Sequence, residues 1–223
     1  MKLKNLLFPP RCPFCGKIMP EEIPCPQCLA GATELTGTVC RVCGAYPAQC
    51  VCGRNMFAFE RNVSAYYYEG APRNLLLRFK ERNCPQLAGF MAKRMFRQIE
   101  GRLGRDFSFI TYVPGAVSGA LRRGYCPARL LAEALSPLLG VPILEVLRRR
   151  TPRQQKFLSA AGRWENAKTG YALRRGAGAG GKILLIDDLT TTGATLSACA
   201  SLLKEAGAES VFCATFAITP KKS

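Results

Sequence analysis

Eight of the chain's twelve cysteines fall between residues 12 and 52, in four close pairs: Cys12-x₂-Cys15, Cys25-x₂-Cys28, Cys40-x₂-Cys43 and Cys50-x-Cys52. Pro13, Gly16, Pro26 and Gly44 flank the pairs and favour tight turns. A C-x-x-C turn lets two sulfurs reach one tetrahedral ion, and two such turns complete a Cys₄ site, so the eight thiols suit two structural Zn²⁺. A segment of about sixty residues with few aliphatic side chains cannot easily bury a core alone, so the metal supplies folding energy. Disulfides or redox pairs are the competing reading. One pair would be ambiguous, but four in tandem favour metal. The spacing leaves the pairing open, sequential (12/15/25/28 and 40/43/50/52) or cross-braced, and the final C-x-C is tighter than the other pairs.

The 223 residues include no His, which excludes Ser-His-Asp and Cys-His nucleophile pairs, Cys₂His₂ fingers and H-E-x-x-H metalloproteases. No apolar run approaches the ~18 residues of a membrane span. The apolar stretch before Pro9 and Pro10 is too short for a signal peptide. These features predict a cytoplasmic protein, where thiols stay reduced. Charge is uneven: 32 Lys+Arg against 15 Asp+Glu give +17 overall, most of it beyond residue 60. We place a boundary there, with a double zinc module over 1–60 and a second domain over 61–223.

The second part alternates strand and helix signals. Strands are predicted over 63–68, 107–113, 142–147, 182–186 and 210–218. Helices are predicted from Pro72, from Pro85, from Pro127 to a stop at Gly140, and over 196–206 with Gly207 beyond the end. Residues 148–170 are basic without a clear period. Such alternation implies an α/β fold with a parallel sheet flanked by helices.

The most informative stretch is Ile183-Leu184-Leu185-Ile186-Asp187-Asp188-Leu189-Thr190-Thr191-Thr192-Gly193-Ala194-Thr195-Leu196. A buried strand runs into two carboxylates, a hydroxyl-rich loop and a helix. Loop amides and a helix N-terminus form a phosphate cradle. Gly193 lets the backbone approach closely, and adjacent carboxylates can accept hydrogen bonds from a ribose diol. A plain strand-turn-helix with Asp caps is the competing reading.

This stretch resembles the 5-phosphoribosyl-1-pyrophosphate (PRPP) motif of type I phosphoribosyltransferases. The resemblance implies that Asp187 and Asp188 hold the ribose, and that Thr191, Thr192, Gly193, Ala194 and Thr195 hold the 5′-phosphate. Tandem C-x-x-C pairs ahead of such a domain are similar to the ComF (late-competence, ComFC-type) family. Tyr68-Glu69-Gly70, Leu76-Leu77-Arg78-Phe79-Lys80, Val113-Pro114, Leu121-Arg122-Arg123-Gly124-Tyr125, Gln155-x₂-Leu158 and Arg163-x₂-Asn166 agree with it. The resemblance implies that Lys80 holds pyrophosphate, and that Arg122, Arg123, Gln155, Arg163 and Asn166 line the mouth. It also implies Mg²⁺ carried with PRPP, and a role in natural transformation beside a helicase-like ATPase. Two stretches depart from the pattern. Many relatives have His after the Val-Pro, where this chain has Gly115-Ala116-Val117-Ser118. Many have Phe-Asn-Gln after the Arg-Gly, where this chain has Tyr125-Cys126-Pro127.

The expected chemistry is displacement of pyrophosphate at the anomeric carbon by positioning and electrostatic stabilisation, with no covalent nucleophile. A second expectation concerns the basic segment 148–182, whose Arg148, Arg149, Arg150, Arg153 and Lys156 could track a single-stranded DNA backbone while Trp164 stacks a base. The first reading makes the protein a transferase. The second makes it a DNA-binding component that reuses the fold as scaffold or sensor.

Overall fold

Ile183, Leu184, Leu185 and Ile186 have no exposed surface, so the strand they form is covered on both faces. That strand, β5 (Gly181–Thr190), lies inside a four-stranded parallel sheet in the computed structural model, which describes residues 9–50, 52, 57–115, 123–150 and 169–221. The other strands are β1 (Arg61–Tyr67), β2 (Phe109–Tyr112) and β6 (Ala208–Ile218), in the order β1-β6-β5-β2. Alternation along β5 divides the core. Leu184 and Ile186 join the cluster under α3 (Ala88–Leu103) and α4 (Pro127–Leu139). Ile183 and Leu185 join the cluster under α5 (Ala194–Glu205). Helices thus lie on both faces, as the sequence predicted.

The helix signals are physical. In α3, Met91, Met95 and Ile99 recur every four residues and are fully buried. In α4, Pro127 opens the first turn, and Gly140 ends it in the left-handed conformation at φ 72°. The helix after β1, α2 (Gly70–Glu81), starts two residues ahead of Pro72 and buries Leu75, Leu76 and Phe79.

Two expectations are corrected. The predicted strand over 142–147 meets the sheet in one bridge, Ile143 to Ile110 of β2, with Ile110 N–H donating to Pro142 O and Leu144 N–H to Ile110 O. Its last residue instead begins β3 (Leu147–Arg149), which pairs antiparallel with β4 (Tyr171–Leu173) as a separate ribbon. The strand thus extends into the basic segment, where sequence gave no period, because three residues are too few to show one.

The cysteine-rich segment contains one short helix, α1 (Pro26–Ala30), and is joined to the sheet. Glu34 bridges Tyr66 antiparallel, Leu35 N–H donates to Ala65 O, and Tyr67 N–H donates to Thr33 O. The stretch between the two cysteine groups therefore covers the exposed edge of β1. Cys12, Phe14 and Cys25 belong to the same buried cluster as Leu75, Met91 and Phe216. Among the described residues, no helix is long and apolar enough to cross a membrane.

Candidate functional site

β5 pairs with β6 through Thr190, so Asp187 and Asp188 stand near the C-terminal end of an ordered strand. Ligands of open parallel sheets bind in crevices at these ends. The Asp188 carboxylate is 8% exposed and lies 2.7 Å from Lys80 Nζ. Asp187 Oδ1 accepts the Asp188 backbone N–H at 2.8 Å. Beyond the strand, Gly193 turns the chain at φ 77°, where a Cβ would lie 2.7 Å from the Phe57 ring. That close approach to an aromatic ring and the positive φ both require glycine. α5 then begins with no side-chain cap, so the carboxylates do not serve as helix caps. Its first turn presents backbone N–H groups and the positive end of the dipole. The Thr192 hydroxyl accepts the Ala194 N–H at 3.4 Å.

A cavity of about 410 Å³ opens over these groups. Lys80, Arg123, Asp187, Asp188 and Thr195, all singled out from sequence, line it together. Thr191, Thr192 and Gly193 in the adjoining loop, and Ala194 at the start of α5, are not among the lining residues. Arg122, Gln155, Arg163 and Asn166 lie outside the described residues, as do Arg153, Lys156 and Trp164 of the basic segment. Within that segment Arg149 lines the cavity, its guanidinium 5.6 Å over the Tyr171 ring. Arg148 is exposed and donates to Leu173 O, and exposed Arg150 joins the ribbon through its backbone. Sequence reasoning grouped Arg149 with its neighbours. The missed signal is strand alternation, which puts Arg149 on the side of buried Leu147 and opposite to Arg148. Tyr171 is 7% exposed and also lines the cavity.

Electrostatics follow from crowding. Burial and the neighbouring Asp188 carboxylate raise the Asp187 pKa, and Lys80 only partly offsets them. Burial would lower Lys80, but the two carboxylates hold it above its ordinary value. Asp187 therefore favours folding while protonated. That contribution is present below its unfolded value near 3.8 and is lost as pH rises towards about 8. Asp187→Asn should consequently gain melting temperature over wild type progressively between these limits. Thermal scans of both proteins across the window check this, and a constant difference would contradict it.

The cysteines form two groups, Cys12/Cys15/Cys25/Cys28 and Cys40/Cys43/Cys50/Cys52, with the four sulfurs of each within 4.8 Å of one another. The pairing is sequential. Cys15 and Cys25 sulfurs are 3.9 Å apart, Cys40 and Cys52 3.7 Å, and Cys43 and Cys50 3.7 Å. A tetrahedron with Zn–S bonds of about 2.3 Å has edges of about 3.8 Å, so both groups fit zinc. Bound there, the ion would lock each pair of turns. Burial raises the Cys12 pKa, but the backbone N–H groups of Cys15 and Cys25 outweigh it and bring the thiol down to about 6, which favours thiolate ligation.

Residues 90–223 match the phosphoribosyl transferase domain family, and residues 3–56 match the double zinc ribbon domain. The chain is 26% identical over 201 residues to competence protein ComFC of Bacillus subtilis (strain 168), covering 85% of this chain and 81% of that protein. It is 29% identical over 192 residues to competence protein ComFC of Streptococcus pneumoniae (strain ATCC BAA-255 / R6), covering 84% and 77%. Among solved structures, adenine phosphoribosyltransferase from Thermoanaerobacter pseudethanolicus overlays 62% of this chain and 72% of its own, at 20% identity and a TM-score of 0.37.

Proposed function

Because the chain belongs to the phosphoribosyl transferase domain family, as a ComF-type member with a double zinc ribbon, we propose that it binds PRPP at the C-terminal end of β5 and transfers the phosphoribosyl group. One observation carries this reading. Two adjacent carboxylates, a lysine at 2.7 Å from one of them, and a residue of the uncapped α5 N-terminus share one cavity. The ribose hydroxyls donate to Asp187 and Asp188. The 5′-phosphate sits on the 191–195 loop and the first turn of α5. Lys80 and Arg123 face the pyrophosphate, whose charge grows as the bond to the anomeric carbon breaks and the acceptor bond forms. Mg²⁺ arrives with the substrate, held by phosphate oxygens and water. Arg149 and Tyr171 wall the side of the cavity formed by the β3-β4 ribbon. We set the boundary between zinc module and transferase domain near residue 60, and place the protein in the cytoplasm.

Phosphorus NMR of PRPP with the zinc-loaded protein, Mg²⁺ and a panel of nucleobases tests the transfer. Pyrophosphate should appear only when an acceptor is present. PRPP left intact with every base would contradict transfer.

A second reading, single-stranded DNA binding beside a helicase-like ATPase in DNA uptake, draws on the exposed Arg148 and Arg150, which flank the cavity-lining Arg149. Cations outside the cavity could follow a phosphate backbone while PRPP occupies the site. The names of the two competence proteins add to this reading.

A further inference from the structure

Lys80 sits in the last turn of α2, beyond which Arg82 leaves the helix and Asn83 adopts φ 51°. A helix end is the part of a helix most prone to fray, so something lateral must hold it. Two residues before Lys80, and so on the opposite side of the helix, Arg78 reaches into the first cysteine turn. Its Nη1 donates to Pro13 O at 2.7 Å and to Cys12 O at 3.2 Å. The guanidinium lies over Gly16, where a Cβ would be 3.2 Å from it. Gly16 N–H in turn donates to Cys12 O. The carbonyls that Arg78 grips are therefore fixed by the same turn that aims Cys12 and Cys15 at their metal.

We infer that the first Cys₄ turn is a positioning element of the cavity: through Arg78 it fixes the last turn of α2, and with it Lys80. The inference rests on the phosphoribosyl reading and adds a role for the zinc module within it. Arg78 touches no ligand and is a positioning residue.

Calorimetric titration of the zinc-loaded full chain with magnesium pyrophosphate, and separately with ribose 5-phosphate, tests it. Losing the two hydrogen bonds in Arg78→Met should weaken pyrophosphate about tenfold while ribose 5-phosphate changes by less than about twofold. Arg78→Lys should recover part of the loss. Arg102→Met is the control. Its guanidinium donates to Leu35 O and Gly37 O, docking the cysteine-rich segment on α3 away from Lys80, so pyrophosphate binding should stay at the wild-type level. Wild type that binds neither ligand would overturn the phosphoribosyl reading itself. Wild type that binds both, with Arg78→Met as tight for pyrophosphate or weakened equally for both ligands, would overturn only the positioning role. If Arg78→Met does not fold, the same comparison on Arg78→Lys decides.

Discussion

Replacing Asp187 and Asp188 together with Asn is expected to weaken PRPP binding by about a hundredfold or more. Each carboxylate would accept a charge-assisted hydrogen bond from a ribose hydroxyl, worth about 1.5–3 kcal/mol, and two such losses span about two to four decades of affinity. The single variants should separate in stability. Asp187→Asn removes a carboxyl whose ionisation burial and Asp188 disfavour, so the unliganded protein should melt higher at neutral pH. Asp188→Asn removes the carboxylate 2.7 Å from Lys80, loses that ion pair and should melt lower. Calorimetry and thermal scans read both quantities on the same samples. A double variant that retained wild-type PRPP affinity would remove the acidic pair from the site.

Cys12→Ser should lower the melting temperature of the whole chain by about 10 °C or more, in a single transition. Metal ligation supplies about 10–16 kcal/mol in isolated zinc fingers. Even a loss of about 5 kcal/mol moves a chain of this size by about 10–20 °C. The loss should reach the transferase domain because the first cysteine group is built into its core. Cys12 is fully buried there, and Phe14 meets Tyr66 and Phe90 edge to face at 5.7 and 5.5 Å. Scanning calorimetry together with zinc quantitation checks this. A variant that lost zinc but melted its α/β domain at the wild-type temperature would show that the two parts fold independently.

Much of this architecture was legible from residues 183–196, because their signals are local. A run of buried aliphatics, a change to acids and hydroxyls, and a glycine before a helix each act over a few positions. The extension of β5 through Thr190 was not legible, since two consecutive Asp interrupt the aliphatic run and Asp is a weak strand former. Pairing of Leu189 with Ala217 and of Thr190 with Ile218 imposes it. The cavity-lining place of Arg149 was not legible for a similar reason. The β3-β4 pairing joins Arg149 to Tyr171 across a long stretch of chain, and three-residue strands carry no period of their own. The cysteine spacing predicted two metal sites but not their pairing, which depends on where the turns pack. The merging of the first cysteine group with the core was hidden as well. It depends on Phe14, a single aromatic whose depth no local pattern reveals.

The central claim is that the end of β5, Lys80 and the start of α5 form a PRPP site. Titrating the zinc-loaded wild-type protein with PRPP, with and without Mg²⁺, tests it most directly. The account predicts saturable heat that depends on Mg²⁺ and on Asp187 and Asp188. No heat at millimolar PRPP would contradict it.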